Sequence, residues 1–116
     1  MELEEGMYVR TDTGYIFKLG YYDKKEKRWM YFVEGDWYPV YESESELAKA
    51  SHNIIDLIEE NDYIRIISSA FFEPVYYSYG KLVIRDDIPI ENYSNNFIAE
   101  VITHEQMKNM SYKVGE

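Results

Sequence analysis

The sequence predicts an α+β protein that is mostly β, made of antiparallel sheets or small SH3-like barrel halves joined by short helices. Thirteen tyrosines among 116 residues are the first observation behind this prediction, because aromatic side chains favour strands. Short runs of alternating apolar and polar residues, separated by glycine- and aspartate-rich turns, are the second. A segment that occurs twice in the chain is the third.

The repeated segment is Leu3–Thr11, which reads LEEGMYVRT, and it recurs as IEENDYIRI at Ile58–Ile66. Each copy has an apolar residue, two glutamates, then Gly6 or Asn61, which are residue types that tolerate a positive φ in turns. A strand-like alternation follows in both copies. We therefore predict one domain over residues 1–116 with two β-rich halves, about 1–50 and 51–116, in which Tyr8 and Tyr63 are equivalent strand residues.

The first half reads as a meander of four antiparallel strands, and Pro39 in the last of them indicates an edge position. The third strand is apolar on both faces, so one face needs a cover: the second half, a second copy or a partner. The predicted strands are Met7–Thr11, Tyr15–Tyr22, Arg28–Glu34 and Trp37–Tyr41.

Between the halves, Ser43 and Glu46 have the spacing of a capping box, which predicts a short helix to about Ala50. The apolar turn Ile54–Ile58 should then place Leu57 in a core. A second capping box, Thr103–Gln106, predicts a helix to about Met110. The predicted strands of this half are 63–68, 71–79, 81–85, 97–102 and 111–114.

The chain carries a net charge of −10 and no cysteine. Direct binding to a nucleic-acid backbone is disfavoured, because that affinity comes from Lys and Arg displacing counterions. No apolar run is long enough to span a membrane, and the acidic N-terminus lacks the order of a signal peptide, so we expect a cytoplasmic protein. His52 and His104 are far apart in sequence and have no thiol to activate, and Asp86–Asp87 reads as a turn. We therefore predict no catalytic residue, no cofactor and no metal site.

One segment suits a partner: carboxylates alternate with aromatic residues over residues 34–46, with no base among them. Such an edge could imitate the phosphates and bases of a nucleic acid, and the alternative is a solvated hairpin. The candidate partner-binding residues are Glu34, Asp36, Trp37, Tyr38, Tyr41, Glu42, Glu44 and Glu46.

Three framing segments carry a resemblance to a known family. The N-terminal GMYVRT, the central SHNIIDLIE, and the C-terminal pair ITHEQM and YKVGE are similar to a family of small uncharacterised proteins encoded by phages and prophages of Firmicutes. The resemblance implies a bacterial host cytoplasm and an accessory role. It supplies no activity and no site residue.

These observations favour a non-enzymatic, phage-encoded binding protein, an inhibitor of host defence or of a nucleic-acid-handling enzyme. The expected partner is a host protein with a basic groove, such as a nuclease or a CRISPR effector, which would make the chain anti-CRISPR-like. The alternative is a structural or assembly protein that forms a homodimer or larger homo-oligomer through its aromatic strands.

Overall fold

The computed structural model describes residues 2–41, 43 and 46–110; the predicted last strand, 111–114, and the candidate residues Glu42 and Glu44 lie outside this set. The chain divides into two compact units, Met1–Leu57 and Ile58–Glu116. All strand pairs are antiparallel, and they form three sheets with one short α-helix in the described part. The predicted β-rich α+β class is confirmed.

The first unit is a five-stranded sheet in the order β4-β3-β2-β1-β5. Its two edges, β4 and β5, do not pair with each other among the described residues, so the sheet is open and no closed SH3-like barrel forms. β4 lies at an edge, as Pro39 predicts. The strands are β1 Tyr8–Thr11, β2 Ile16–Asp23, β3 Arg28–Val33, β4 Asp36–Pro39 and β5 Leu47–Ser51.

The predicted helix from Ser43 to Ala50 is wrong, because residues from Leu47 onward form β5. Half of the capping box does exist: the backbone N–H of Ser43 donates to Glu46 Oε2 at 2.7 Å. However, β5 pairs with β1 along its length, and the hydrogen bonds of this pairing replace those of a helix. Local helix preference is a weak term beside a complete ladder.

One face of this sheet carries the core of the first unit. Val9, Leu19, Val40 and Leu47 are buried together, and a ring of partly buried residues that includes Trp29 and Tyr31 packs against them. The chain then makes a 3-10 turn at Ile54–Leu57, and Leu57 is fully buried, which confirms its predicted place in a core.

The second unit has two three-stranded sheets, in the orders β11-β6-β7 and β10-β9-β8. The short strands β7 and β8 follow one another with only the buried Val75 between them. The elements are β6 Tyr63–Ile66, β7 Glu73–Pro74, β8 Tyr76–Ser78, β9 Lys81–Ile84, β10 Ile88–Pro89, β11 Ile98–Ile102 and α1 His104–Met110.

Helix α1 begins where the second capping box predicts it. The backbone N–H of Thr103 donates to Gln106 Oε1 at 3.0 Å, and the backbone N–H of Gln106 donates to Thr103 Oγ1 at 3.3 Å. This reciprocal pair satisfies backbone groups that the first helical turn leaves without a partner.

The turns that lead into β1 and β6 have the same backbone geometry. Gly6 and Asn61 both have positive φ, 85° and 75°. The backbone N–H of Gly6 donates to Leu19 O at 2.9 Å, and that of Asn61 donates to Val75 O at 2.8 Å. Tyr8 and Tyr63 each begin the strand that follows, and both are half-buried, as the repeated sequence predicts.

The strands that close each unit also correspond. β5 pairs with β1 as β11 pairs with β6, and each pairing contains a register shift near one end. Leu47 and Ile98, the first residues of the two closing strands, are both buried. The sequence repeat is therefore a repeat of structure in three elements: the lead-in turn, the strand that follows it and the closing strand.

Candidate functional site

Three aromatic side chains stand on the face of the first sheet that is opposite its core. The strand register places Phe32 opposite Trp37 and Tyr21 opposite Met30, whereas Tyr31 and Leu19 point to the core. The Trp37 ring centroid lies 4.9 Å from that of Tyr21 and 5.1 Å from that of Phe32. We call Tyr21, Phe32 and Trp37 the outer aromatic cluster.

The outer aromatic cluster is exposed although its rings contact one another. Tyr21 is 39% exposed, Trp37 47% and Phe32 56%. An ordinary monomer shows scattered apolar residues on its surface, but grouped large rings are typical of a binding surface.

Gly20, in β2, lies directly beneath Trp37. A Cβ atom at Gly20 would lie 2.1 Å from Cζ3 of Trp37 and 3.2 Å from the carbonyl oxygen of Met30. The indole therefore rests directly on the backbone of β2, and only glycine leaves room for it. A groove next to Gly20 is lined by Glu5, Lys18 and Trp37.

The acidic turn between β3 and β4 adjoins the cluster. Glu34 follows Val33, the last residue of β3, and Asp36 is the first residue of β4, directly before Trp37; both are exposed. Glu34 and Gly35 both have positive φ, 48° and 88°, which is the geometry of a tight hairpin turn. The two carboxylates are thus held at one end of the aromatic surface.

The other predicted site residues that the structure describes lie apart from this cluster. Tyr38 lies on the core side of β4, with its ring 6.0 Å from that of Tyr31. Tyr41 is 77% exposed. The guanidinium carbon of Arg28 lies over its ring, 5.1 Å from the centroid of the Tyr41 ring. Glu46 is exposed and bonded to the backbone of Ser43.

Of the predicted residues that the structure describes, only Trp37 belongs to the outer aromatic cluster; Glu34 and Asp36 lie at the hairpin end next to it, and the pleat of β4 places Asp36 on the face of Tyr38. The sequence interpretation missed Tyr21 and Phe32, which complete that cluster. The alternation in β3 and the position of Gly20 were the available signals, but the register between strands was needed to use them.

At the opposite end of β3, the turn from Lys24 to Arg28 is basic and exposed. Asp23 Oδ1 accepts the backbone N–H groups of Lys25 at 2.9 Å and Glu26 at 3.2 Å, which fixes this turn. The hairpins of the first unit therefore present an acidic end and a basic end.

Each unit also pairs a histidine with the glutamate of its lead-in turn. In the first, His52 Nε2 lies 2.9 Å from Glu4 Oε2. In the second, His104 Nε2 lies 2.9 Å from Glu59 Oε1 and 2.8 Å from Glu105 Oε1. The sequence analysis assigned no partner to either histidine, because the partners are distant in the chain.

Asp62, which is fully buried, holds the two backbone segments of the second pair together. Its Oδ2 accepts the backbone N–H of Glu59 at 2.7 Å, and its Oδ1 accepts that of His104 at 2.9 Å. Each carboxylate oxygen therefore fixes one of the two segments. Glu59, His104 and Glu105 form the one group in the described chain that brings three metal-ligating atoms within 4.8 Å of one another.

No family model, curated protein or solved structure matches the chain. None of the helices described is long and apolar enough to cross a membrane.

Proposed function

We propose that the chain is a non-enzymatic binding protein. Its outer aromatic cluster docks into an apolar site on another protein, and basic residues surround that site. The observation that carries this proposal is the contact of Trp37 with both Tyr21 and Phe32 on an exposed sheet face, with the indole seated on Gly20. Trp37 makes these contacts in the chain by itself.

Such an arrangement suits binding for two reasons. Large aromatic side chains supply most of the affinity at many protein interfaces, because they bury a large area with few rotatable bonds. Rings fixed on strands also lose little further conformational entropy when a partner covers them.

The basic rim of the partner follows from charge. The chain has a net charge of −10, and Glu34 and Asp36 lie at the end of the cluster. Exposed carboxylates attract a cationic surface and orient it during association. They would also repel nucleic acid, so the proposal involves neither direct nucleic-acid binding nor a membrane.

The narrower form of the proposal is an inhibitor, encoded by a phage and acting in the cytoplasm of a bacterial host. Its target would be a defence or nucleic-acid-handling enzyme, such as a nuclease or CRISPR effector, whose basic groove the chain would occupy. The sequence resemblance and the combination of carboxylates with aromatic rings support this form.

The test begins with photo-crosslinking amino acids placed at Phe32 and, as a matched control, at Tyr15, an exposed ring on the β1–β2 turn of the same unit. A protein crosslinked in host lysate from position 32 and not from position 15 is then purified and its affinity measured. Phe32→Ala should weaken that complex by roughly 1 kcal/mol or more, and Tyr15→Ala should leave it unchanged. Equal effects of the two substitutions would contradict the proposal.

Reversing the charge of Glu34 and Asp36 tests whether these carboxylates speed the approach of the partner or hold it after binding. Glu34→Lys and Asp36→Lys should slow association with the same target, and the effect should shrink as salt rises, because exposed charges are screened beyond about 10 Å at 0.1 M salt. Stopped-flow measurement at two salt concentrations gives the answer. A change confined to the dissociation rate would contradict the role assigned to these carboxylates.

A homo-oligomer is the alternative, since a second copy could cover the same aromatic face. Sedimentation of the pure protein at micromolar concentration distinguishes the two. A monomer supports a partner of another kind, whereas a dimer abolished by Phe32→Ala would replace the proposal with the assembly role.

A further inference from the structure

The side chains of Glu59, His104 and Glu105 are arranged as a ligand set for a metal ion. We propose that they bind a divalent transition-metal ion, with Zn²⁺ as the representative ion. This site lies in the second unit, on residues that the proposed binding surface of the first unit does not use.

The distances support coordination. Four ligands about 2.1 Å from a zinc ion, in the tetrahedral arrangement that zinc prefers, lie about 3.4 Å from one another. His104 Nε2 lies 2.9 Å from Glu59 Oε1 and 2.8 Å from Glu105 Oε1, so an ion can contact all three atoms with small side-chain movements. The three atoms lie within 4.8 Å of one another.

The chemistry of the donors selects the class of ion. One imidazole nitrogen and two carboxylate oxygens suit Zn²⁺ and its neighbours, which accept mixed nitrogen and oxygen ligands. Ca²⁺ and Mg²⁺ prefer oxygen ligands, so the imidazole disfavours both ions, and two carboxylates are also few for Ca²⁺. Two ionised glutamates and a neutral imidazole carry a charge of −2, which a divalent cation neutralises.

The backbone around the ligands is already fixed. The buried Asp62 holds the backbone of Glu59 and His104, and the capping box of Thr103 and Gln106 fixes the start of α1. Binding an ion would therefore require little reorganisation of the main chain. The three side chains are between a fifth and two fifths exposed, which leaves room for water or a further ligand on the outer side.

The first unit offers a matched comparison within the same molecule. His52 and Glu4 lie at the same distance, 2.9 Å, but the residue after His52 is Asn53, where Glu105 follows His104. No group of three ligands includes His52 or Glu4 in the part of the chain that the structure describes. The first unit thus has the pair without the third carboxylate.

The test uses the untagged full chain and follows both histidine rings by NMR during addition of zinc chloride near neutral pH. With only two histidines in the sequence, only two sets of ring signals have to be assigned before the titration. The His104 signals should change and saturate at one equivalent of zinc, while those of His52 stay constant until zinc is in excess. Parallel changes in both rings, or no change in either, would overturn the proposal, and this result needs no variant to fold.

Calorimetry on variants then tests the carboxylates. Glu105→Gln and Glu59→Gln keep the side-chain shape and should weaken zinc binding by more than tenfold, which is the smaller end of the loss that a change beside a metal site causes. Glu4→Gln is the control and should bind zinc as the unchanged chain does. Equal losses in all three variants, or Mg²⁺ binding as tight as Zn²⁺ binding, would contradict the assigned ligand set.

Discussion

Replacing Gly20 with alanine should loosen the outer aromatic cluster without disturbing the strand that supports it. The φ of Gly20 is not in the positive range, so alanine is compatible with the backbone there. The new methyl group would, however, lie 2.1 Å from Cζ3 and 2.6 Å from Cη2 of Trp37. Because Trp37 is half exposed, its ring can relieve this overlap by rotating toward solvent.

The cost can be worked out from the contacts that the rotation breaks. Trp37 makes two ring pairs, with Tyr21 and with Phe32, and each such pair contributes about 0.5–1.5 kcal/mol. Against this loss, alanine in a strand is about 0.5–1 kcal/mol more favourable than glycine. The two lost ring pairs cost about 1–3 kcal/mol, so the net destabilisation from Gly20→Ala should be roughly 0–2.5 kcal/mol.

A double-mutant cycle isolates the contact between Gly20 and Trp37. Urea unfolding followed by circular dichroism gives the free energy for Gly20→Ala, Trp37→Ala and the double variant. In the Trp37→Ala background, Gly20→Ala should cost less, because the indole is gone and only the 3.2 Å contact with the carbonyl oxygen of Met30 remains. If Gly20→Ala costs the same in both backgrounds, the indole does not rest on β2 and the ordered aromatic surface loses its basis.

Three further predictions concern the framework. Leu57→Ala should destabilise the protein by about 2–5 kcal/mol in urea unfolding, because the side chain is fully buried, and a change within error would show that this turn is peripheral. Gly6→Ala should destabilise the protein by roughly 1–2 kcal/mol because of the positive φ alone, since the new Cβ would lie 3.9 Å from its nearest atom and so cause no clash. Asn61→Gly should not destabilise the protein, because glycine adopts a positive φ freely. Similar losses of stability in both variants would refute the assigned turn geometry. The hydrogen bond from the Tyr76 hydroxyl to Asp87 raises the pKa of Tyr76 above its ordinary value of 10.0. The stability that this bond contributes is therefore present below pH 10.0 and is lost as the pH rises through the raised pKa. Asp87→Asn should lower the pKa of Tyr76 in an NMR titration of its ring, and an unchanged pKa would exclude Asp87 as the cause.

Much of the framework is readable from sequence because its signals are local. Alternation predicts the hairpins, the paired lead-in turns predict Gly6 and Asn61 at positive φ, and Thr103–Gln106 predicts the start of α1. The segment after Ser43 shows the limit. Its alanines and leucine favour a helix locally, but the open edge of β1 is a property of the folded sheet.

The candidate sites were harder to predict because they depend on contacts across the chain. Trp37 and Tyr38 are neighbours in sequence, yet the pleat of β4 sends them to opposite faces. Phe32 joins Trp37 only through the β3–β4 register. His104 and Glu59 meet only because β11 pairs with β6 and returns the chain to the lead-in turn.

The two copies of the lead-in turn and closing strand give one backbone frame two different surfaces. What they share is backbone bonding and buried side chains, such as Leu47 and Ile98. What differs is at the surface: β3 and β4 carry Phe32 and Trp37, while the shorter β9 and β10 do not, and Glu105 stands where the first copy has Asn53. The same frame thus carries an exposed aromatic cluster in one unit and a histidine–carboxylate cluster in the other.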